Sequence, residues 1–342
     1  MSISTLTQLL HEGQSSYLCY DLGRLVQPIS NADFAAIEQQ AMPYPYPIQG
    51  HACFALVFWP KLADSNQDPF LWFLKFPIDE RGLLEQSTVY EFITQVITLL
   101  GQQVTQALTS EQEQQLQQSP YLFTPAEDKR AALHAQLRVH WQRPPSVHFE
   151  LAQSNLETPD QWQDVGVQGL HDVCARLGEL PASQRAICDN FVSYPPQLRQ
   201  ALAIALEHQQ LPVAMIESLA SQLQQQPEAN ELRADLLRSL ASQEQSECSA
   251  AAIEHVLQQA SADEVVICCA RLWRAFDPMA EHPVALELLL HAMAQQQAAI
   301  FAALLTDLLR LPGLRPHLLI LLQRDDLPQQ IRQAWQTFTG AR

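Results

Sequence analysis

Residues 195–240 read PPQLRQALAIALEHQQLPVAMIESLASQLQQQPEANELRADLLRSL, and apolar side chains recur in them at every third or fourth position. These positions form three groups, namely Leu198/Leu202/Leu206, Ile216/Leu219/Leu223 and Leu232/Leu236/Leu240. Such spacing places the apolar side chains of each group on one face of an α-helix. Because Pro212 and Pro227 lack a backbone donor, they separate the groups. The segment therefore predicts three amphipathic helices joined by short loops.

The same pattern continues toward the end of the chain. Further groups at helical spacing are Val265/Cys269/Leu272/Phe276, Ile300/Leu304/Leu308 and Ile331/Ala334/Trp335/Phe338. Short loops favour antiparallel neighbours, so a long run of such hairpins favours a HEAT-like solenoid. No strict repeat period is visible in the sequence, and a globular helical bundle is the alternative. Residues 156–342 are accordingly predicted to be an array of helical hairpins.

The first half of the chain has a different composition, rich in proline and aromatic residues. Residues 53–59 (CFALVFW) and 70–76 (FLWFLKF) are dense in strand formers and fit a hairpin. Residues 17–26 predict another strand, and residues 147–151 predict a further one. We therefore expect residues 1–155 to form a small α+β domain with a short antiparallel sheet, in a chain that is mainly α.

Five helix starts are marked by the spacing of a capping box, in which Ser or Thr is followed three residues later by Glu or Gln. Three of them are Ser110 with Glu113, Thr124 with Glu127 and Thr158 with Gln161. The two side chains of such a box satisfy free backbone donors at a helix start. Thr88 with Glu91 predicts the start of a helix that covers the sheet. Ser261 with Glu264 predicts the start of a helix in the second half.

Composition and charge limit the classes of partner. Of 342 residues, 47% are hydrophobic and 17% charged, which is enough apolar material for a folded core. The net charge is −17, so a basic surface for nucleic acid or anionic lipid is not expected. No apolar stretch approaches the roughly 20 residues that cross a bilayer, and the first residues lack a secretory signal. The sequence thus predicts a cytoplasmic protein without nucleic-acid or membrane partners.

Cysteine and histidine positions predict neither a metal site nor a cofactor. The seven cysteines are scattered and form no Cys-x-x-Cys pair, so reduced thiols are expected. His134 and His140 are six residues apart, which places them on different faces of a helix.

Common catalytic signatures are also absent from the sequence. It contains no Gly-x-Gly-x-x-Gly, Walker, His-Glu-x-x-His or Gly-x-Ser-x-Gly motif, so no catalytic residue is assigned. Lys75, in an apolar strand, is followed by Asp79 and Arg81, and burial could prepare such a lysine for chemistry. The favoured interpretation is an edge lysine that reaches water, followed by a polar turn. An enzyme with a site near Lys75 is therefore the alternative hypothesis.

Three segments resemble a known family. They are residues 20–24 (YDLGR), 43–47 (PYPYP) and 75–82 (KFPIDERG), set in a chain with a Leu- and Gln-rich helical remainder. In these respects the chain is similar to the gammaproteobacterial proteins grouped as domain of unknown function family 3549. The resemblance covers nearly the full length and implies a bacterial, cytoplasmic setting. It implies no activity, cofactor or catalytic residue.

The leading functional hypothesis is a protein-interaction or scaffold role. Helical arrays present long surfaces, and catalytic signatures are missing. Bulky aromatic side chains serve as anchors in interfaces, which makes Trp273 and Trp335 candidates if they are exposed. Lys75, Asp79 and Arg81 are the candidate binding residues of the first half. The acidic charge predicts that the partner is a basic protein.

Overall fold

The computed structural model describes residues 3–62, 68–101, 104–105, 109–243 and 246–340. It divides into two compact units: Met1–Pro125 with Arg310–Pro312, and Ala126–Leu309 with Gly313–Arg342. The chain is mainly helical, with a small antiparallel sheet near its start, which confirms the predicted fold class. None of the helices in these described ranges is long and apolar enough to cross a bilayer.

The first unit combines four helices with a four-stranded antiparallel sheet of order β2-β1-β3-β4. Its elements are α1 (Leu6–Glu12), β1 (Ser15–Asp21), β2 (Gln27–Ile29), α2 (Asn31–Glu38), β3 (His51–Pro60), β4 (Phe70–Pro77), α3 (Gln86–Leu100) and α4 (Ser110–Gln117). The predicted hairpin is confirmed as β3 and β4, in which Cys53 pairs with Lys75.

The strand predicted over residues 17–26 is interrupted by a turn. Its β1 part ends at Asp21, whose carboxylate accepts hydrogen bonds from the backbone N–H of Gly23 at 3.0 Å and of Arg24 at 3.3 Å. An Asp that binds backbone donors just after itself stabilises a turn. The chain then returns as β2, which pairs with β1.

The core of the first unit lies against one face of the sheet. Phe92 of α3 packs edge-to-face on Trp72 and Phe76 of β4, with ring centroids 5.6 and 5.9 Å apart. Leu6 and Leu9 of α1 belong to the same buried cluster. Because α1 and α3 share this core, both helices cover the same face. Aromatic pairs of this geometry add about 0.5–1.5 kcal/mol beyond area burial.

The predicted capping boxes have different outcomes. The box predicted at Ser110 forms one residue earlier, from Thr109 and Gln112. Those predicted at Thr124 and Thr158 are wrong, because the helix Glu127–His140 has Ala126 as its N-cap and Thr158 follows the end of the helix Phe149–Glu157. Helix α3 begins at Gln86, after an N-cap residue Glu85 that makes no side-chain cap, so the predicted Thr88 start is wrong. The Thr88 hydroxyl instead donates to the Glu85 carbonyl at 2.7 Å. Ser261 and Glu264 form the predicted capping box.

The second unit consists of helices. They are α5 (Glu127–His140), α6 (Phe149–Glu157), α7 (Val167–Cys174), α8 (Pro181–Asn190), α9 (Pro196–Leu206), α10 (Val213–Gln224), α11 (Glu231–Ser239), α12 (Glu247–Leu257), α13 (Ala262–Arg271), α14 (Leu286–Ala294), α15 (Ala298–Leu308), α16 (Arg315–Leu322) and α17 (Gln329–Gly340). The three amphipathic helices predicted for residues 195–240 are α9, α10 and α11.

Helices of the second unit pack in two rows. Each helix from α5 to α13 contacts the helix two positions further along the chain. Helices α5, α7, α9, α11 and α13 form one row, and α6, α8, α10, α12 and α14 form the other. Hydrogen bonds within a row join residues one repeat apart, 36 residues for Arg199 and Asp235 and 31 for Arg233 and Glu264. Two stacked rows with this spacing are typical of a helical solenoid.

The strand predicted at residues 147–151 is wrong, since helix α6 begins at Phe149. Both α5 and α6 pack on α7, so their apolar faces are buried within the second unit. That unit therefore starts at Ala126, whereas the sequence pattern placed the domain boundary after residue 155.

Candidate functional site

Lys75 lies half-buried on β4, on the face of the sheet that also carries Cys53. Its backbone N–H donates to the Tyr121 carbonyl at 2.8 Å, and the Phe123 N–H donates to the Phe73 carbonyl at 3.1 Å. Residues 121–123 therefore run along the outer side of β4. The sequence predicted that Lys75 lies on an open edge strand. In the structure the backbone N–H of Lys75 and the carbonyl of Phe73 on this edge are already paired.

Asp79 and Arg81 form a local turn after β4. The Asp79 carboxylate accepts from Nε of Arg81 at 3.0 Å and from the backbone N–H groups of Arg81 and Leu83 at 2.8 and 2.9 Å. Although burial acts to raise it, these hydrogen bonds hold the pKa of Asp79 below its ordinary value. Gly82 closes the turn with a φ of 81°, a conformation that favours glycine. The group is thus a structured polar turn in which the acid and the guanidinium engage each other.

The two tryptophans differ in exposure. Trp273 is only 4% exposed, and the Arg274 guanidinium lies over its ring at 4.8 Å, so Trp273 is packed and does not fit the expected exposed anchor. Trp335 of α17 is half-buried and stacks on Phe338, with ring centroids 5.6 Å apart. Trp273 is therefore part of the packed interior, whereas Trp335 keeps partial exposure beside a residue of its own helix.

A groove of about 720 Å³ crosses α9, α11 and α13, three successive helices of one row. Its lining exposes polar and apolar surface in about equal parts, and Val266, which is 42% exposed, contributes to the apolar part. We call it the acidic groove and define it by Gln197, Gln200, Glu231, Asp235, Asp263 and Val266. Consecutive repeats thus contribute side chains to one continuous surface.

Some carboxylates of the acidic groove are paired with an arginine and others are not. Asp235 accepts a hydrogen bond from Nε of Arg199 at 2.8 Å; burial raises the pKa of Asp235, and Arg199 opposes that rise. Arg238, also in the lining, is bound to a buried glutamate described below. Glu231 and Asp263 make no ion pair within the described part of the chain. Each lies in the first turn of its helix, where the helix dipole favours a negative charge.

A second polar group lies among α5, α7 and α9, with Asp128 half-buried and the other members buried. Asp128 is in the first turn of α5, His171 is near the end of α7, and Glu207 and His208 directly follow α9. One oxygen or nitrogen from each of Asp128, Glu207 and His208 lies within 4.8 Å of the others. The ring of His171 is nearly parallel to that of His208, with centroids 6.0 Å apart. We call these four residues the buried cluster.

Glu207 is held by groups from the next two helices of the row. Nη2 of Arg238 donates to its Oε1 at 3.2 Å, and Nε of Arg238 donates to its Oε2. Nε of Arg271 lies 3.2 Å from the same Oε1, and Nε2 of His208 lies 3.5 Å from it. Glu207 is fully buried, so these partners offset the cost of removing its charge from water.

His171 is buried, and neither of its ring nitrogens has a hydrogen-bond partner among the residues that the structure describes. A buried polar group left unsatisfied costs about 1–3 kcal/mol. Burial lowers the pKa of His171 to about 4, although Asp128 and Glu207 act to raise it. Burial also lowers the pKa of His208 well below its ordinary value, and positive neighbours such as Lys129 act in the same direction. Both imidazoles are therefore neutral near pH 7.

The buried cluster was not predicted from the sequence. The histidines considered there, His134 and His140, are both exposed on α5. Asp128, His171 and the Glu207–His208 pair are distant along the chain and meet only because helices of one row stack. A usable signal is the spacing, because Glu207 and Arg238 are 31 residues apart, which is one structural repeat.

Comparison with known proteins gives a single match. The model of a family described as protein of unknown function (DUF3549) matches residues 1–339. No match was found among curated proteins or among solved structures.

Proposed function

The chain belongs to the DUF3549 family of proteins of unknown function, and we propose that it is a protein-interaction scaffold. Its binding surface is the acidic groove, and its partner is another protein that presents a basic, extended or helical segment. The observation that carries the proposal is the continuity of this groove across α9, α11 and α13. Solenoids use surfaces of this kind, built from successive repeats, for recognition.

Charge supports a basic partner. The positive side chains near the groove, Arg199 and Arg238, are bound to carboxylates, whereas Glu231 and Asp263 have no ion-pair partner among the described residues. A Lys or Arg side chain docked there would gain two charge-assisted contacts. The net charge of −17 would attract the same partner over a longer distance.

A bacterial cytoplasm is the proposed setting. All seven cysteines are free thiols, and five of them are buried, which is the pattern of a protein kept in a reducing compartment. The family resemblance supports the bacterial origin.

Charge reversal in the acidic groove tests the proposal. The full-length chain and its Glu231→Lys/Asp263→Lys variant serve as baits in lysate from the native host, and captured proteins are quantified by mass spectrometry. A matched control is Glu111→Lys/Glu113→Lys, which changes the net charge equally and also places lysines in the first turn of a helix, α4. The helix-dipole penalty is therefore similar in the two variants.

We expect a defined set of proteins that the wild type and the control capture and the groove variant does not. When the captured complexes are cross-linked, the peptides of these proteins that join the bait should be rich in Lys or Arg. Equal capture by all three chains would contradict the proposal. Loss from the control as well as from the groove variant would show a general charge effect and would also contradict it.

The alternative, an enzyme with a site near Lys75, makes a different prediction. Lys75→Met would abolish its activity and leave partner capture unchanged. The Asp79–Arg81 turn favours the scaffold, because these two groups already bind each other.

A further inference from the structure

We propose that the buried cluster of Asp128, His171, Glu207 and His208 is a binding site for a first-row divalent transition metal. The sequence predicts no metal, since these residues share no ligand spacing along the chain. The site arises from the stacking of α5, α7 and α9 and is separate from the acidic groove. It goes beyond the scaffold role, and neither claim depends on the other.

Geometry supplies the first argument. One donor atom from each of Asp128, Glu207 and His208 lies within 4.8 Å of the other two, a separation that small side-chain adjustments convert into coordination of one ion. These are two carboxylates and an imidazole from two helices of one row. Three protein ligands are enough to hold a divalent metal.

His171 supplies the second, independent argument. It is 1% exposed, stacks beside His208 and, within the described ranges of the chain, has no hydrogen-bond partner at either ring nitrogen. Buried polar atoms are normally satisfied, and an orphan pair of nitrogens indicates a missing ion or water. Asp128, Glu207 and His208 are the three residues close enough to share an ion, and His171 lies beside them with nitrogens that a bound ion, or a water molecule on that ion, would satisfy.

The surrounding charges indicate the class of metal. Arg238 and Arg271 bind Glu207, which orients its carboxylate as outer-shell partners of metal ligands commonly do. They also offset its charge, so the site lacks the several uncompensated oxygens that Ca²⁺ requires. One imidazole with two carboxylates suits Zn²⁺, Fe²⁺ or Mn²⁺ instead. Because the ligands come from separate helices and Glu207 and His208 are buried, the metal would stabilise the row.

Zinc binding to the full-length chain tests the proposal. Protein stripped with a chelator is titrated with Zn²⁺ by calorimetry, and we expect one ion per chain. Asp128→Asn and His171→Gln should each lower the affinity by at least roughly tenfold, the lower limit for loss of even an outer-shell partner. His148→Gln, at an exposed histidine of the same unit, is the control and should bind as the wild type does.

A second measurement on the wild type avoids any effect of substitution on folding. With ¹⁵N-labelled histidine, Zn²⁺ should shift the imidazole resonances of His171 and His208 and leave those of His148 in place. The proposal is overturned if the wild type binds no stoichiometric Zn²⁺. It is equally overturned if bound Zn²⁺ shifts only exposed histidines, or if His148→Gln alone abolishes binding.

Discussion

Arg233 and Glu264 show how a single residue pair can secure the row of helices. Arg233 of α11 is 1% exposed, and its Nε and Nη2 donate to the fully buried Glu264 of α13 at 2.5 and 2.8 Å. Removing one partner of a buried ion pair leaves an uncompensated charge. Each residue of the pair therefore needs the other to offset its buried charge.

We expect Arg233→Met to lower the free energy of unfolding by about 3–5 kcal/mol, because Glu264 would remain buried without its partner. Urea denaturation followed by circular dichroism measures the change. The control is Arg324→Met, which removes an exposed arginine paired with Asp326 and Glu287 and should change stability little. Similar losses in both variants would show that the buried pair has no special role.

The second prediction at this scale concerns acid sensitivity at His171, studied in chelator-treated protein. Its folded-state pKa is lowered by burial from 6.5 to about 4, so between these values the unfolded chain binds a proton that the folded chain does not. The contribution of neutral His171 to the free energy of unfolding is therefore fully present above pH 6.5 and is lost as the pH falls toward 4. From pH 6.5 to about pH 5 the loss from this group is on the order of 2 kcal/mol.

The measurement is the free energy of unfolding at several pH values across this range. His171→Gln should show a shallower decline than the wild type, and the exposed-site control His148→Gln should follow the wild type. Parallel curves for all three proteins would contradict the assigned burial of His171.

At the scale of elements, α13 and α3 test whether a capping box can be inferred from spacing alone. In α13 the Ser261 hydroxyl accepts from the Glu264 N–H at 3.3 Å, and the Glu264 carboxylate accepts from the Ser261 N–H at 2.7 Å. In α3 the Thr88 hydroxyl donates to a carbonyl and caps nothing.

We expect Ser261→Ala to cost about 1 kcal/mol of stability, because it removes the acceptor for a free backbone donor. Thr88→Ala should cost clearly less, since no N–H at that helix start depends on the hydroxyl. Thermal or urea unfolding of the two variants gives the comparison. A larger loss for Thr88→Ala would place the start of α3 at the position predicted from the sequence.

Apolar periodicity along the chain predicted the long helices well. The state of a short apolar segment depends on the element against which it packs. The period of Leu198, Leu202 and Leu206 predicted α9, because burial of one helix face requires that spacing. Residues 147–151 alternate like a strand, yet they begin α6, which packs on α7. Short apolar runs fit both states, and only the neighbour on which they pack decides between them.

The candidate site was less predictable than the fold. Glu231 and Asp263 read as ordinary residues of a helix start, and their alignment in one groove follows from the stacking of α11 on α13. His171 and His208 likewise meet only through the row. No repeat was visible in the sequence because each repeat need only keep apolar spacing, while its polar side chains differ.

At the scale of the whole molecule, the acidic groove and the net charge of −17 make a joint prediction about kinetics. Long-range attraction speeds encounter with a basic partner, and salt screens it over a Debye length of about 8–10 Å. For a captured partner, added salt should lower the association rate constant strongly and change the dissociation rate constant less. Surface plasmon resonance at several salt concentrations measures both. An association rate independent of salt would contradict electrostatic attraction.

The most direct test of the scaffold proposal is site-specific photo-cross-linking in the native host. A photoreactive amino acid replaces Val266 in the acidic groove, and a matched variant carries it at Val139 of α5, which has nearly the same exposure, 41% against 42%. The proposal predicts that position 266 cross-links to a Lys- or Arg-rich segment of a specific protein, that position 139 does not, and that Glu231→Lys/Asp263→Lys removes the product. Absence of a specific product at position 266, or the same products at both positions, would contradict the claim that the acidic groove is the binding surface.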